Sequence, residues 1–206
     1  MSSTPVVSPL GDTAVSLAYG EGISEALSKR VVNEAAAIRS AAIAGVTDVV
    51  ASYAALVVHY DPLTIGFHDL RSRLQSIPSP AEESAVRSAA THIIPVRYDG
   101  EDLESVAQRV GLTTEEVIAI HSAAIYRVFV IGFVPGWAYL GPLDQRLVIP
   151  RRESPRPRVP AGSVAIAESQ TGVYPSATPG GWHIIGSTDV KMFDAGREPP
   201  ALLAAG

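Results

Sequence analysis

Residues 159–186 read VPAGSVAIAESQTGVYPSATPGGWHIIG. Glycine, proline or a small hydroxyl residue recurs at almost every turn. The runs between them, SVAIA, TGVYP and WHIIGST, are short and apolar. Short strands separated by Gly/Pro turns have this texture. The stretch holds one acid, Glu168, and no lysine, arginine or cysteine. It therefore offers shape, donors and acceptors, but almost no group able to move a proton. Upstream, YRVFVIGF (126–133) continues the strand pattern and leads into a turn-rich loop. From Tyr126 onward the pattern predicts an all-β barrel or sandwich.

The first half of the chain has another texture. Ten of the sixteen prolines lie at or after Pro135, whereas the first half is rich in alanine at helical spacing. This shift predicts two domains, 1–80 and 91–206. TAVSLAY (13–19) alternates as a strand does. Ser24 is placed to cap a helix over 25–44, with Leu27, Val31, Ala35, Ile38 and Ala42 on one face and Gly45 as the stop. VTDVVASY and AALVVHY are spaced to pair as a hairpin. Thr64 is placed to cap a short helix carrying Phe67, Leu70, Leu74 and Ile77. The order β-α-β-β-α predicts a small sheet with helices on one face. Residues 76–90 show no clear period and read as the linker. The second half opens with THIIPV (91–96), read as a strand. A helix follows through Leu103, Val106 and Val110 to Gly111. A second begins with a capping box, Thr113 with Glu116.

The 206 residues suffice for one large domain or two small ones, and 47% apolar with 18% charged residues is a globular composition. A formal net charge of −5 argues against nucleic acid as a partner. The lack of cysteine excludes disulfides and thiolate chemistry. The opening lacks the basic and apolar regions of a signal peptide, and the most apolar run, broken by Arg127 and Pro135, is too short to span a membrane. A cytoplasmic location is the expectation.

Of the five histidines, His59, His68, His92 and His121 read as ordinary surface or core residues, and none has metal-ligand spacing. No metal is expected. His183, directly after PGGW, is a candidate for lining a site. No hydrolase elbow, Walker loop or dinucleotide fingerprint is present. Arg151, Arg152, Arg156 and Arg158 lie among prolines, which stiffen the segment and favour anion recognition by guanidinium forks. Alternation would put Arg156 and Arg158 on one side of an extended segment. Gln170 and Tyr174 offer neutral groups that orient an amide or carbonyl. Phe133, Trp137 and Tyr139 read either as a packed loop or as a ligand wall.

Three longer stretches carry a resemblance: YRVFVIGFVPGWAYLG, IPRRESPRPRVPAGSVAIAESQTGVYP and TPGGWHIIGST. With GDTAVSLAYG, ALVVHYDP, IPVRYDG and MFDAGREPPALL in the same order, nearly the whole chain resembles the family of allophanate hydrolase subunit 1, also called the 5-oxoprolinase B-subunit family. That family includes an inhibitor of a sporulation histidine kinase. The resemblance implies an α+β protein: a small N-terminal α/β sandwich-like domain followed by a C-terminal cyclophilin-like β-barrel. It implies a carboxyltransferase-like unit formed with the second subunit (allophanate hydrolase subunit 2, or the 5-oxoprolinase C-subunit) and a lactam hydrolase component. It also implies cleavage of 5-oxoproline to glutamate, or of allophanate, with ATP used by the complex. Cyclophilin-like architecture carries no implication of isomerase activity. The chain has GWAYLGP where the family usually has GFPYLGG. The expected site comprises His183 and Tyr174 as catalytic residues, with Arg152, Arg156, Arg158, Ser163 and Gln170 binding substrate. With neither a Walker loop nor an evident nucleophile, the chain is expected to be inactive alone. A regulatory protein inhibiting a sensor kinase is the rival reading.

Overall fold

The computed structural model describes residues 4–78 and 90–206. The chain divides into two units, residues 1–90 with Gly206, and Thr91–Ala205. The first runs β1 (Val6–Pro9), β2 (Ala14–Ala18), α1 (Glu25–Ser40), β3 (Val46–Ala51), β4 (Ala55–Tyr60) and α2 (Phe67–Ser76). The strands form one antiparallel sheet in the order β1-β2-β4-β3. Strand alternation decides what it buries: Val15 pairs with Val58, Leu17 with Leu56, and Val49 with Val58. These five join Val31, Ala35 and Ile38 of α1 and Leu70 and Leu74 of α2 in one core. Both helices thus cover the same sheet face, as the pattern predicts. The extra strand β1 is bracketed by Pro5 and Pro9, which its edge position tolerates.

Two helix boundaries differ from expectation. Ser24 does cap α1, accepting from the Leu27 N–H at 3.2 Å. The helix stops at Ser40, however, because Ala42 already takes the left-handed conformation (φ 45°), three residues before Gly45 (φ 92°). Gly45 serves a close approach: a Cβ there would lie 2.7 Å from Ile65 Cγ2. Thr64 does not cap α2; its hydroxyl donates to the Asp61 carboxylate at 2.8 Å, and Gly66 holds the cap position. Most of the expected linker, 79–89, lies outside the described residues.

In the second unit, residues 91–96 form no strand; Arg97 makes a single bridge to Ser187, and Ile93 is 90% exposed. Pro95 removes a ladder donor, so Ile94 and Val96 pack on the core of the second unit from an extended segment that pairs only through the Arg97 bridge among the described residues. The helices α3 (Leu103–Val110) and α4 (Thr114–Ala123) are placed as read. Gly111 closes α3 in the left-handed conformation (φ 72°). Thr113 and Glu116 form both bonds of the capping box, at 2.8 and 3.2 Å.

Seven strands follow: β5 (Arg127–Ile131), β6 (Ala138–Gly141), β7 (Arg156–Val159), β8 (Ser163–Ala167), β9 (Gln170–Val173), β10 (Thr178–Gly180) and β11 (His183–Ser187). They make an antiparallel sheet β11-β8-β9-β6-β5 and a ribbon β10-β7. All five residues of β8 are buried because the sheet is covered on both faces. Val164 and Ile166 pack with Val106, Val117, Leu147 and Ile185; Ala165 and Ala167 pack with Trp137, Tyr174 and Trp182. Among the described residues the strand pairing does not close a barrel, so of the two expectations, barrel or sandwich, a closed barrel is not seen. The proline-rich β7 pairs, among the described residues, only with β10, through a register shift, so the ladder breaks there.

Candidate functional site

The arginine segment lies along the glycine pair and His183. The Arg152 N–H donates to the Gly181 carbonyl at 2.8 Å. His183 Nε2 lies 2.9 Å from the Pro150 carbonyl. A carbonyl only accepts, so Nε2 carries the proton and Nδ1 the lone pair. Glycine at 180 is required by packing, because a Cβ would fall 2.1 Å from the Tyr174 hydroxyl.

Asp102, at the start of α3, stands at the centre. One oxygen, Oδ1, accepts from Arg152 Nη1 at 3.0 Å and Arg156 Nη2 at 2.8 Å. The other, Oδ2, accepts from the Ile184 N–H at 2.7 Å. The Asp102 N–H donates back to the Ile184 carbonyl at 2.9 Å. Arg156 Nε also meets Glu101 at 2.8 Å. Asp102 is 5% exposed. Burial acts to raise its carboxyl; the Arg156 bond, the Ile184 amide and the charges of both arginines outweigh it and hold the group below the usual range. Arg152 Nε, Arg156 Nη1 and His183 Nδ1 are buried without a hydrogen-bond partner among the described residues.

The structure thus gathers Arg152, Arg156 and His183 around an acid absent from the sequence reading, and both arginines are paired within the chain. Arg158 is exposed on β7, without an ion pair or hydrogen bond among the described residues. Arg151 pairs with Glu168 at 3.1 Å. Burial pushes His183 below its ordinary value, against the Pro150 bond and the Asp102 charge. Tyr174 belongs to an aromatic cluster, its ring 4.6 Å from that of Trp137, and burial raises its hydroxyl. Trp137 also meets Trp182 at 5.1 Å and the exposed Phe133 at 5.9 Å, so this loop is packed. Ser163 is buried at the start of β8, where its carbonyl accepts from the Tyr174 N–H at 2.9 Å. Gln170 is buried opposite Ala167.

A second buried polar chain runs through His121. The Thr171 hydroxyl donates to the Ala165 carbonyl at 3.1 Å, so it accepts from His121 Nε2 at 2.9 Å. Nδ1 then accepts from the Tyr98 hydroxyl at 2.8 Å. Burial pushes His121 down to about 4, keeping it neutral. Its burial was legible, since it lies four residues after the core residue Val117 on α4. Among the described residues no three His, Cys, Asp or Glu gather as a metal site, and no helix is long and apolar enough to cross a membrane. Two open grooves include no residue of the Asp102 cluster: one of about 400 Å³ in the first unit, lined by Thr64, Asp69 and Arg73, and one of about 330 Å³ in the second, lined by Arg97 and Asp189.

The model of the carboxyltransferase domain, subdomain C and D, matches residues 5–203. The chain belongs to the family of such domains formed by the 5-oxoprolinase B-subunits and allophanate hydrolase subunit 1. It is 39% identical to the 5-oxoprolinase B-subunit of Bacillus subtilis (strain 168), over 97% of this chain and 89% of the relative. It is 51% identical to the 5-oxoprolinase B-subunit of Escherichia coli O157:H7, over 55% of this chain and 53% of that one. Among solved structures, TTHA0988 is similar at TM-score 0.85 and 41% identity over 94% of this chain. The chain spans only 38% of TTHA0988. Kluyveromyces lactis urea carboxylase, at TM-score 0.72 and 17% identity, covers 97% of this chain, which spans 21% of it, and shares the fold.

Proposed function

We propose that the chain is the B-subunit of an ATP-dependent 5-oxoprolinase complex. It works with a carboxyltransferase-like C-subunit homologue and a lactam hydrolase component. The complex opens the lactam of 5-oxoproline to glutamate, water adding across the C–N bond as ATP is hydrolysed. The observation that carries this reading is the 39% identity to a 5-oxoprolinase B-subunit over 97% of the chain. The same reading takes the second unit as cyclophilin-like in arrangement and the protein as cytoplasmic.

The site chemistry supports a binding and orienting role. Lactam hydrolysis needs an activated water or nucleophile and stabilisation of the developing oxyanion. Arg158 is a free cation suited to the substrate carboxylate. His183 offers an Nδ1 lone pair with no partner among the described residues; the atom is buried, so an N–H donor reaches it only as the site opens. Neither group generates a nucleophile without an orienting acid on the ring, and the Nε2 partner is a carbonyl, not a carboxylate. ATP and water activation fall to the partner chains. The test is co-purification with both partners and an ATP-dependent turnover assay on 5-oxoproline and on allophanate, for the chain alone and for the complex. Turnover of 5-oxoproline by the complex alone is expected. Turnover by the lone chain at the rate of the complex, or turnover of allophanate only, would overturn the reading.

A further inference from the structure

Asp102 joins the two segments that hold His183. On one side it takes the N–H of Ile184, the next residue in the chain. On the other it takes Arg152 and Arg156, whose segment begins with the Pro150 carbonyl that accepts from His183 Nε2. Its backbone N–H adds a fourth bond, to the Ile184 carbonyl. We propose that Asp102 is a positioning residue of the site: it ties the arginine segment to β11 and thereby holds His183 as the Nε2–H tautomer, leaving Nδ1 as the acceptor.

A carboxylate is required here. Both oxygens are met only by donors, so an asparagine amide would set donor against donor at either the arginines or Ile184. The two guanidinium groups meet at a single oxygen, and without its charge they would stand as adjacent, partly buried cations. The role in turnover rests on the proposed lactam-opening reading; the role in setting the tautomer does not.

The experiment uses the full chain with 15N-labelled histidine. Long-range 1H–15N spectra near neutral pH report which ring nitrogen of His183 is protonated, with His183→Gln giving the assignment. The wild type should show one tautomer with protonated Nε2. Asp102→Asn, folded by circular dichroism, should show a mixture of tautomers. An unchanged single tautomer in that variant overturns the proposal. Should Asp102→Asn fail to fold, Arg152→Gln decides by the same spectrum. That side chain is one-third exposed and its loss removes only one tie. A mixture supports the proposal and an unchanged tautomer overturns it. In the complex, kcat should fall on the order of 100-fold, as for a misplaced reacting group, with KM changed far less. A merely structural role would lower stability and leave both the tautomer and kcat per folded complex in place. Failure of the wild-type complex to open 5-oxoproline would sink the functional reading, while the spectra would still decide the role of Asp102.

Discussion

The buried His121 makes stability depend on pH in a calculable way. Folded, it titrates at about 4; its ordinary value is 6.5. A depressed folded value means that the unfolded chain binds the proton more tightly. The stabilisation is therefore complete above pH 6.5 and is lost as pH falls towards 4, where both states become protonated. At about 1.4 kcal/mol per pKa unit, the displacement corresponds to about 3 kcal/mol, a large share of a typical domain's stability. His121→Gln isolates the effect. Its amide can donate to Thr171 and accept from Tyr98, as the imidazole does, but cannot take a proton. Both tryptophans, Trp137 and Trp182, lie in the unit that contains His121, so their fluorescence in urea follows that unit. Between about pH 7 and pH 4.5 the wild type should lose about 2–3 kcal/mol more than the variant. Parallel losses in the two proteins, or a His121 ring titrating at its ordinary value in NMR, would refute the argument.

Other substitutions test other parts of the structure. Gly180→Ala should destabilise by about 1–3 kcal/mol, since its methyl group has no room beside the Tyr174 hydroxyl; the urea midpoint measures it. Thr113→Ala removes one bond of the capping box and should cost about 1 kcal/mol, with Thr113→Ser recovering most of it. Arg158→Ala should weaken use of an anionic substrate by about 1.5–3 kcal/mol in the reconstituted complex and leave the thermal midpoint unchanged; wild-type kinetics would remove Arg158 from the site.

What could be read from sequence divides by the range of the interactions. Ser24, Thr113 with Glu116, and Gly111 act within one turn, and each is found where the sequence puts it. Period-two patterning placed the sheet of the first unit, because one covered face leaves a clear alternation. Gly45 misled as a helix stop, because its positive φ of 92° and its contact with Ile65 both require glycine at a turn beyond the helix end. Asp102 marks the limit of such reading. In sequence it is an acid just before a helix, where the macrodipole favours acids in any protein. Its partners stand 50, 54 and 82 residues away, so no local pattern distinguishes it. The arginines were visible as charge, and their prolines as stiffness, but stiffness does not say whether a guanidinium faces solvent or an internal carboxylate. Burial settles the matter. A carboxylate 5% exposed survives ionised only when paired, so the fold must place cations beside it. Arg152 and Arg156 meet that demand, which leaves Arg158 as the residue of that run free to meet an anion from outside.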